Sequence, residues 1–430
     1  MHPQLSYQRF TLPNGLEVIV HEDHALPIVA VNLWYRVGSK NEHAGRTGFA
    51  HLFEHLMFEG SANAPEGVFD ELLEAAGGEN NGSTTPDRTN YHETLPANAL
   101  ELALWLEGDR MGGLLDAMTQ EKLDAQRDVV KNERRQSYEN RPYGLAYETI
   151  LSALYPPEHP YSWPVIGSMA DLDAASLEDV SQFFRTFYAP NNASLVVAGA
   201  VDTTALLPLV EKHFGHIPSG PALPPVVIPP AHLTADRPLL LEDTVQLPRL
   251  YLVWHSPAAF AEGDAALELA AAILAEGKAS RLYRTLVYER QVAQDVEAFQ
   301  DGGELGSAFY VVATARPGVT LAELERLVRE ELARVVEAGV TPHELERGQN
   351  MIETALIDGL QEVEGRADQL NMYAYYTGNP GYLAEDLARF RRVDAEAVRA
   401  AVRHYLVDAP SVVLSVVPRG RADLSARAVS

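Results

Sequence analysis

What most constrains this chain is an internal repeat. The stretch PIVAVNLWYRVGSKNEHAGRTGFAHLFEHLMFEGS, from Pro27, and the stretch PRLYLVWHSPAAFAEGDAALELAAAILAEGKASRLYRTL, from Pro248, run in one order: a strand, a polar loop, a helix ending in Glu-Gly, and another helix. Two copies predict one α+β fold built twice. The length agrees, because 430 residues exceed what a single hydrophobic core usually organises. Residues 218–238, PSGPALPPVVIPPAHLTADRP, are rich in proline, carry neither a helical nor a strand period, and read as a linker. The expected division is residues 1–217, a linker at 218–238, and residues 239–430.

Within the first part, TLPNGLEVIV places two short runs around Asn14-Gly15, a favoured hairpin turn. Residues 27–37 alternate apolar and polar positions as a half-buried strand does. APEGVFDELLEAAGG predicts a helix with Pro65 near its start and Gly77 at its stop. NNGSTTPDRTNYHETLP, β-prone with a Pro-Asp break, predicts a hairpin. Longer helices are expected from Ala97 to Met111 and from Thr119 to about Asn140, and NASLVVAGAV supplies a closing strand.

The two copies differ in one helix. In the first, GFAHLFEHLMFEG carries His51, Glu54 and His55 among apolar residues; with Gly60 matched to Gly277, these positions fall on Glu268, Ala271 and Ala272. A helix turns about 100° per residue, so His51 and His55 lie one turn apart on one face and both imidazoles can reach one ion. Glu54 stands beside that face, where it can address water on the ion. A His-x-x-acid-His string arises by chance roughly 0.06 times in a chain of this composition. Two histidines and a carboxylate in an apolar helix are costly without a shared partner, so the trio reads as a metal site. Cysteine is absent, which excludes disulfides, thiolate nucleophiles and zinc-thiolate clusters, and leaves histidine and carboxylate as ligands. A catalytic zinc takes three protein ligands and keeps a fourth position open, so one more donor is required.

Charge narrows the partners. A net charge of −26 repels phosphate backbones, argues against nucleic acid, and favours cationic ligands. No window is long and apolar enough for a membrane span. The start, MHPQLSYQRF, lacks the pattern of a signal peptide, so the expected address is cytoplasmic.

His51-Leu-Phe-Glu54-His55 resembles the signature of the pitrilysin-type zinc metallopeptidases, the inverzincins, which include insulin-degrading enzyme and the mitochondrial processing peptidase. The length is similar to that of the short single-unit bacterial members. In that family the third ligand is a glutamate on a later helix; AQRDVVKNERRQ is similar to it, and Glu133 is the match. Without the resemblance, Glu133 is one of several acids on a charged helix. Where relatives often carry a second glutamate seven residues earlier, this chain has Gln126, whose amide can orient Glu133 or a water but adds no negative charge. NNGSTTPDRTNYHETLP resembles the active-site edge strand, so Asn81, Gly82, Ser83, Thr84 and Thr85 are expected to offer backbone hydrogen bonds to a peptide added as a further strand. YAPNNASLVVAGAVD and SRLYRTLVYERQVAQDVEAF are also similar to family segments.

The resemblance implies a pitrilysin/LuxS-like metallohydrolase fold: two homologous α/β sandwich halves, mainly antiparallel sheets with packed helices, related by a pseudo-twofold. It implies one Zn²⁺ per chain on His51, His55 and Glu133, with Glu54 as general base for attack of water on a peptide carbonyl. It also implies a clamshell of two such chains enclosing peptides, basic ones by the charge argument. The partner is a second copy or a related chain lacking zinc ligands. One unit of such a clamshell supplies an arginine and a tyrosine that grip the substrate; around GSAFYVVATARPG the candidates are Tyr310 and Arg316, and neither fits the pattern. The alternative is a non-catalytic peptide-binding or assembly subunit. Relatives of that kind lose the metal-helix residues, which are all present here together with Glu133.

Overall fold

The computed structural model describes residues 4–428. Its contacts divide the chain into two units, the first made of residues up to 135, 163–227 and 357–384, the second of residues 136–162, 228–356 and 385 onward. The first sheet is drawn from residues before 218 and the second from Arg237 onward, so its first strand takes in the end of the expected 218–238 linker, while one helix of each unit comes from the other side of that segment.

In the first unit the Asn14-Gly15 turn joins β1 (Gln8–Thr11) to β2 (Glu17–Glu22), with Thr11 opposite Glu17. The sheet adds β3 (Ile28–Tyr35), β4 (Glu79–Thr84), β5 (Thr89–Pro96) and β6 (Ala193–Gly199), in the order β1-β2-β6-β3-β5-β4. β4 is therefore an edge. Helices α1 (Phe49–Leu56), α2 (Val68–Ala75) and α4 (Gln120–Arg134) follow the sequence reading, α4 passing into a wider π turn at Arg135–Glu139, whereas α3 (Leu100–Ala117) starts after a 3-10 turn at Ala97–Ala99 and continues past the expected end at Met111.

β3 corrects the expectation of a half-buried strand, since it is buried from Val29 to Tyr35 on both faces. The reason is the helix Val363–Thr377, distant in sequence, which lays Val363, Ala367, Leu370 and Ala374 against Ile19, Ala30, Val196 and Ala198. Each fully buried large aliphatic side chain there contributes about 1.5–3 kcal/mol. Polar pairing fixes the helix: Asn371 donates to the Asn32 carbonyl at 2.9 Å, Ser194 donates to Asn371 Oδ1 at 2.7 Å, and the Trp34 indole donates to Asp368 at 3.1 Å.

The second unit repeats the plan with β7 (Arg237–Asp243), β8 (Arg249–Ser256), β9 (Ala293–Asp301), β10 (Ser307–Ala315) and β11 (Val412–Pro418). Its order, β7-β11-β8-β10-β9, places first, fifth, second, fourth and third strands as β2-β6-β3-β5-β4 does, and β7/β11, like β2/β6, is the parallel pair. One face carries the helix Asp264–Ala275. The other is covered by α5 (Ala146–Leu154), whose Ile150, Leu151 and Leu154 pack with Val253, Val412 and Leu414. Ala271 and Ala272, the counterparts of Glu54 and His55, are buried in the core of this unit.

α1 opens on Gly48 at φ 88°, and its second-unit counterpart opens on Gly263 at φ 91°. A Cβ on Gly48 would lie 2.7 Å from the Ile166 carbonyl oxygen, whereas one on Gly67, at φ 79°, would meet nothing within 4 Å. Gly67→Ala is expected to cost about 1 kcal/mol, from the left-handed backbone alone. Gly48→Ala should cost distinctly more, and equal losses in urea unfolding would contradict the close approach.

Candidate metal centre

α1 is short and strongly two-sided. Phe49, Ala50, Leu52, Phe53 and Leu56 are buried, and Phe53 stacks on Phe184 and Tyr188. That packing turns His51, Glu54 and His55 to the remaining face. Glu42 holds the helix start, accepting from the Gly48 and Ala50 amides at 3.0 and 2.7 Å, while burial pushes its carboxyl up to about 8.

α4 brings Glu133 to the same place. Glu133 Oε2 lies 3.6 Å from His51 Nε2 and 3.4 Å from His55 Nε2, and one ligand atom from each of the three residues lies within 4.8 Å of the others. The two rings meet edge to face, their centroids 4.8 Å apart. A tetrahedral zinc with bonds of 2.0–2.1 Å sets its ligand atoms about 3.4 Å apart, so the two distances from Glu133 match the ion. Protonation fits as well. Burial holds the His51 imidazole below its usual range, leaving it neutral with a lone pair to give. The hydrogen bond with His55 keeps Glu133 ionised, outweighing its partial burial. His51 Nδ1 is buried without a partner among the described residues, and Nε2 is the nitrogen that faces Glu133.

Glu54 stands beside the trio with a fixed oxygen: the Thr84 hydroxyl donates to its Oε2 at 2.5 Å. The hairpin β4–β5 thus touches α1 directly, and a Cβ on Gly82 would come within 3.3 Å of Glu54 Cγ. Asn81, Gly82, Ser83 and Thr84 lie on β4, with Thr85 just past its end; β5 is the one strand pairing with β4 among the described residues. Sequence reading gave Thr84 a backbone role and missed its side chain; nothing local announces a partner 30 positions away in the chain.

Gln126 does not address Glu133. Its amide donates to the Glu59 carboxylate, and Lys122 Nζ donates to the Glu59 carbonyl at 2.5 Å. Tyr310 is buried in β10, its ring stacked on Phe299, and Arg316 donates to the Ala293 carbonyl at 3.2 Å, so both serve the second sheet. Among the described residues, His51, His55 and Glu133 are the one cluster of histidine and carboxylate groups spaced to hold a metal ion.

The insulinase (peptidase family M16) model matches residues 17–160, which include all four residues of this site, and the peptidase M16 inactive domain model matches residues 174–352. Zinc protease PqqE of Helicobacter pylori is 31% identical over 386 residues, covering 87% of this chain and 85% of its own. An uncharacterized zinc protease of Mycobacterium tuberculosis is 28% identical over 409 residues, covering 94% and 91%. A probable mitochondrial-processing peptidase subunit beta of Arabidopsis thaliana is 22% identical over 425 residues, covering 95% and 78%. The crystal structure of a protease from Helicobacter pylori superposes with a TM-score of 0.92 at 26% identity, covering 97% of this chain and 100% of that one. The chain therefore belongs to peptidase family M16, the pitrilysin-like family of zinc proteases.

Proposed function

We propose that this chain is a zinc-dependent metalloendopeptidase that hydrolyses peptides or unfolded polypeptide segments. The observation that carries this reading is the convergence of two imidazoles and a carboxylate on one point, with a second carboxylate held beside it. His51, His55 and Glu133 would hold the zinc. The ion would supply Lewis acidity, which makes water a competent nucleophile at neutral pH.

The protein's own residues do the rest. Thr84 pins one oxygen of Glu54, leaving the other to take the proton of the attacking water and pass it to the departing amine. The outer edge of β4 offers Asn81 to Thr85 as a row of backbone donors and acceptors on which a peptide adds as a strand. That placement sets the peptide alongside Glu54, because Thr84 belongs to both the strand and the base. The charge of −26 favours basic substrates.

The working form in this proposal is a dimer enclosing the peptide, built with a second copy or with a related chain lacking zinc ligands, in the cytoplasm. No helix among the described residues is long and apolar enough to cross a membrane. The match named as inactive domain lies at residues 174–352, beyond the ligand set, and so does not favour a non-catalytic subunit. Gel filtration with and without a co-expressed relative decides the partner.

Purified chain should take up one zinc, lose cleavage of a quenched fluorescent peptide on chelation, and regain it with zinc. Glu54→Gln should keep its zinc while kcat falls by about 10²–10⁴-fold, the range of general-base catalysis. His51→Ala, His55→Ala and Glu133→Gln should lose the metal as well. Wild-type turnover by Glu54→Gln at full zinc occupancy would remove Glu54 from the base's role. A basic peptide should be cut faster than a neutral one at low salt, and the advantage should shrink as salt rises; an advantage indifferent to salt would dismiss the charge argument.

A further inference from the structure

The third ligand sits on a helix with little apolar hold. Of the apolar residues of α4, only Leu123 and Val130 are buried. Polar contacts must therefore set where Glu133 points. Arg127, Lys131 and Arg134 tie one side of the helix to residues 167–175: Arg127 donates to the Ala175 carbonyl, Lys131 pairs with Asp173, and Arg134 donates to the Gly167 carbonyl.

The side that carries Glu133 has a different anchor. At 100° per residue, Lys122, Gln126 and Glu133 share one face, and Gln126 precedes Glu133 by about 10 Å along the axis. Both of the earlier residues grip Glu59. Gln126 Nε2 donates to Glu59 Oε1, and Lys122 Nζ donates to the Glu59 carbonyl at 2.5 Å. Glu59 is itself locked to the histidine helix, its amide donating to the Leu56 carbonyl at 3.1 Å. Hydrogen bonds thus run without a break from the last turn of α1, one residue past His55, to the face of α4 that bears the third ligand.

We propose that Glu59, gripped by Gln126 and Lys122, is the positioning residue of the metal centre: it fixes the separation of α1 and α4 and so the distance of Glu133 from the two imidazoles. Glu59 is not one of the three candidate ligands and acts through the helix that carries Glu133. The proposal rests on the reading of His51, His55 and Glu133 as a zinc site, and it assigns Gln126 to α1 through Glu59 and not to Glu133. An amide opposite a carboxylate is a matched donor and acceptor, so the pair tolerates exchange of the two groups but not duplication of either acid.

The test is zinc affinity of the full chain, measured by competition with a chromophoric chelator, alongside circular dichroism and urea unfolding of the metal-free protein. Gln126→Ala should weaken zinc binding about 3- to 10-fold, short of the roughly 10- to 100-fold that follows removal of a group bonded directly to a metal ligand. Gln126→Glu, which sets two carboxylates against each other, should weaken it at least as much. The reciprocal double variant Glu59→Gln with Gln126→Glu restores one donor and one acceptor, and should bring affinity back to within about threefold of wild type. Loss of bulk stability alone does not predict that rescue. Lys122→Met, which removes the other grip, should also weaken zinc and serves if Gln126→Ala fails to fold. Wild-type affinity in Gln126→Ala or Gln126→Glu, or a folded double variant that stays weak, overturns the positioning role while leaving the zinc site intact. A wild-type chain that binds no zinc overturns the site itself, and the positioning role with it.

Discussion

Two imidazoles and a carboxylate do not gather at one point unaided, because each would be better solvated alone. His51, His55 and Glu133 stand within 4.8 Å of one another because α1 and α4 are held against each other by contacts that owe nothing to the three. On α1 those contacts are Phe49, Leu52, Phe53 and Leu56 in the core, with Phe53 in a stack of aromatic rings. A buried nitrogen without a partner among the described residues, such as His51 Nδ1, costs about 1–3 kcal/mol, which the core must offset. Core packing and the candidate metal ligands occupy opposite faces of one eight-residue helix.

Features with a local period were legible in the sequence, and features made by distant segments were not. The spacing of His51, Glu54 and His55 is a statement about one turn of helix, and it survives any tertiary arrangement that keeps the helix. The hairpin Asn80–Pro96 was legible for a similar reason, because β-prone runs flank a turn. Glu133 was not: its own helix offers several acids, and only resemblance to a known family singled it out. Side-chain partners were least accessible. Thr84 on Glu54 and Gln126 on Glu59 join positions 30 and 67 residues apart, and no periodicity encodes such a pair.

β3 shows the same limit from the side of the fold. Its sequence, IVAVNLWY, contains one polar residue, Asn32, and the alternation around it suggested a wet face. That face is dry because Asn371 and Asp368, on a helix more than 300 residues later, supply the hydrogen bonds that Asn32 and Trp34 would otherwise take from water. The polar positions of a strand mark a solvent face only when no later segment brings matching partners.

The repeat read from the sequence is a repeat of strand order, and it reaches further than the strands. In each unit the helices that follow β3 or β8 contact the strands of their own sheet, and a helix from the opposite side of residues 218–238 packs on the sheet as well. α5 precedes that segment and covers the second sheet; the helix Val363–Thr377 follows it and covers the first. A single cut in the proline-rich segment would leave two fragments, each holding its own strands and the other's lid. Neither could exclude water from both faces of its sheet alone, so the two should refold only as a mixture, by complementation, and a gene encoding either one by itself should yield insoluble protein.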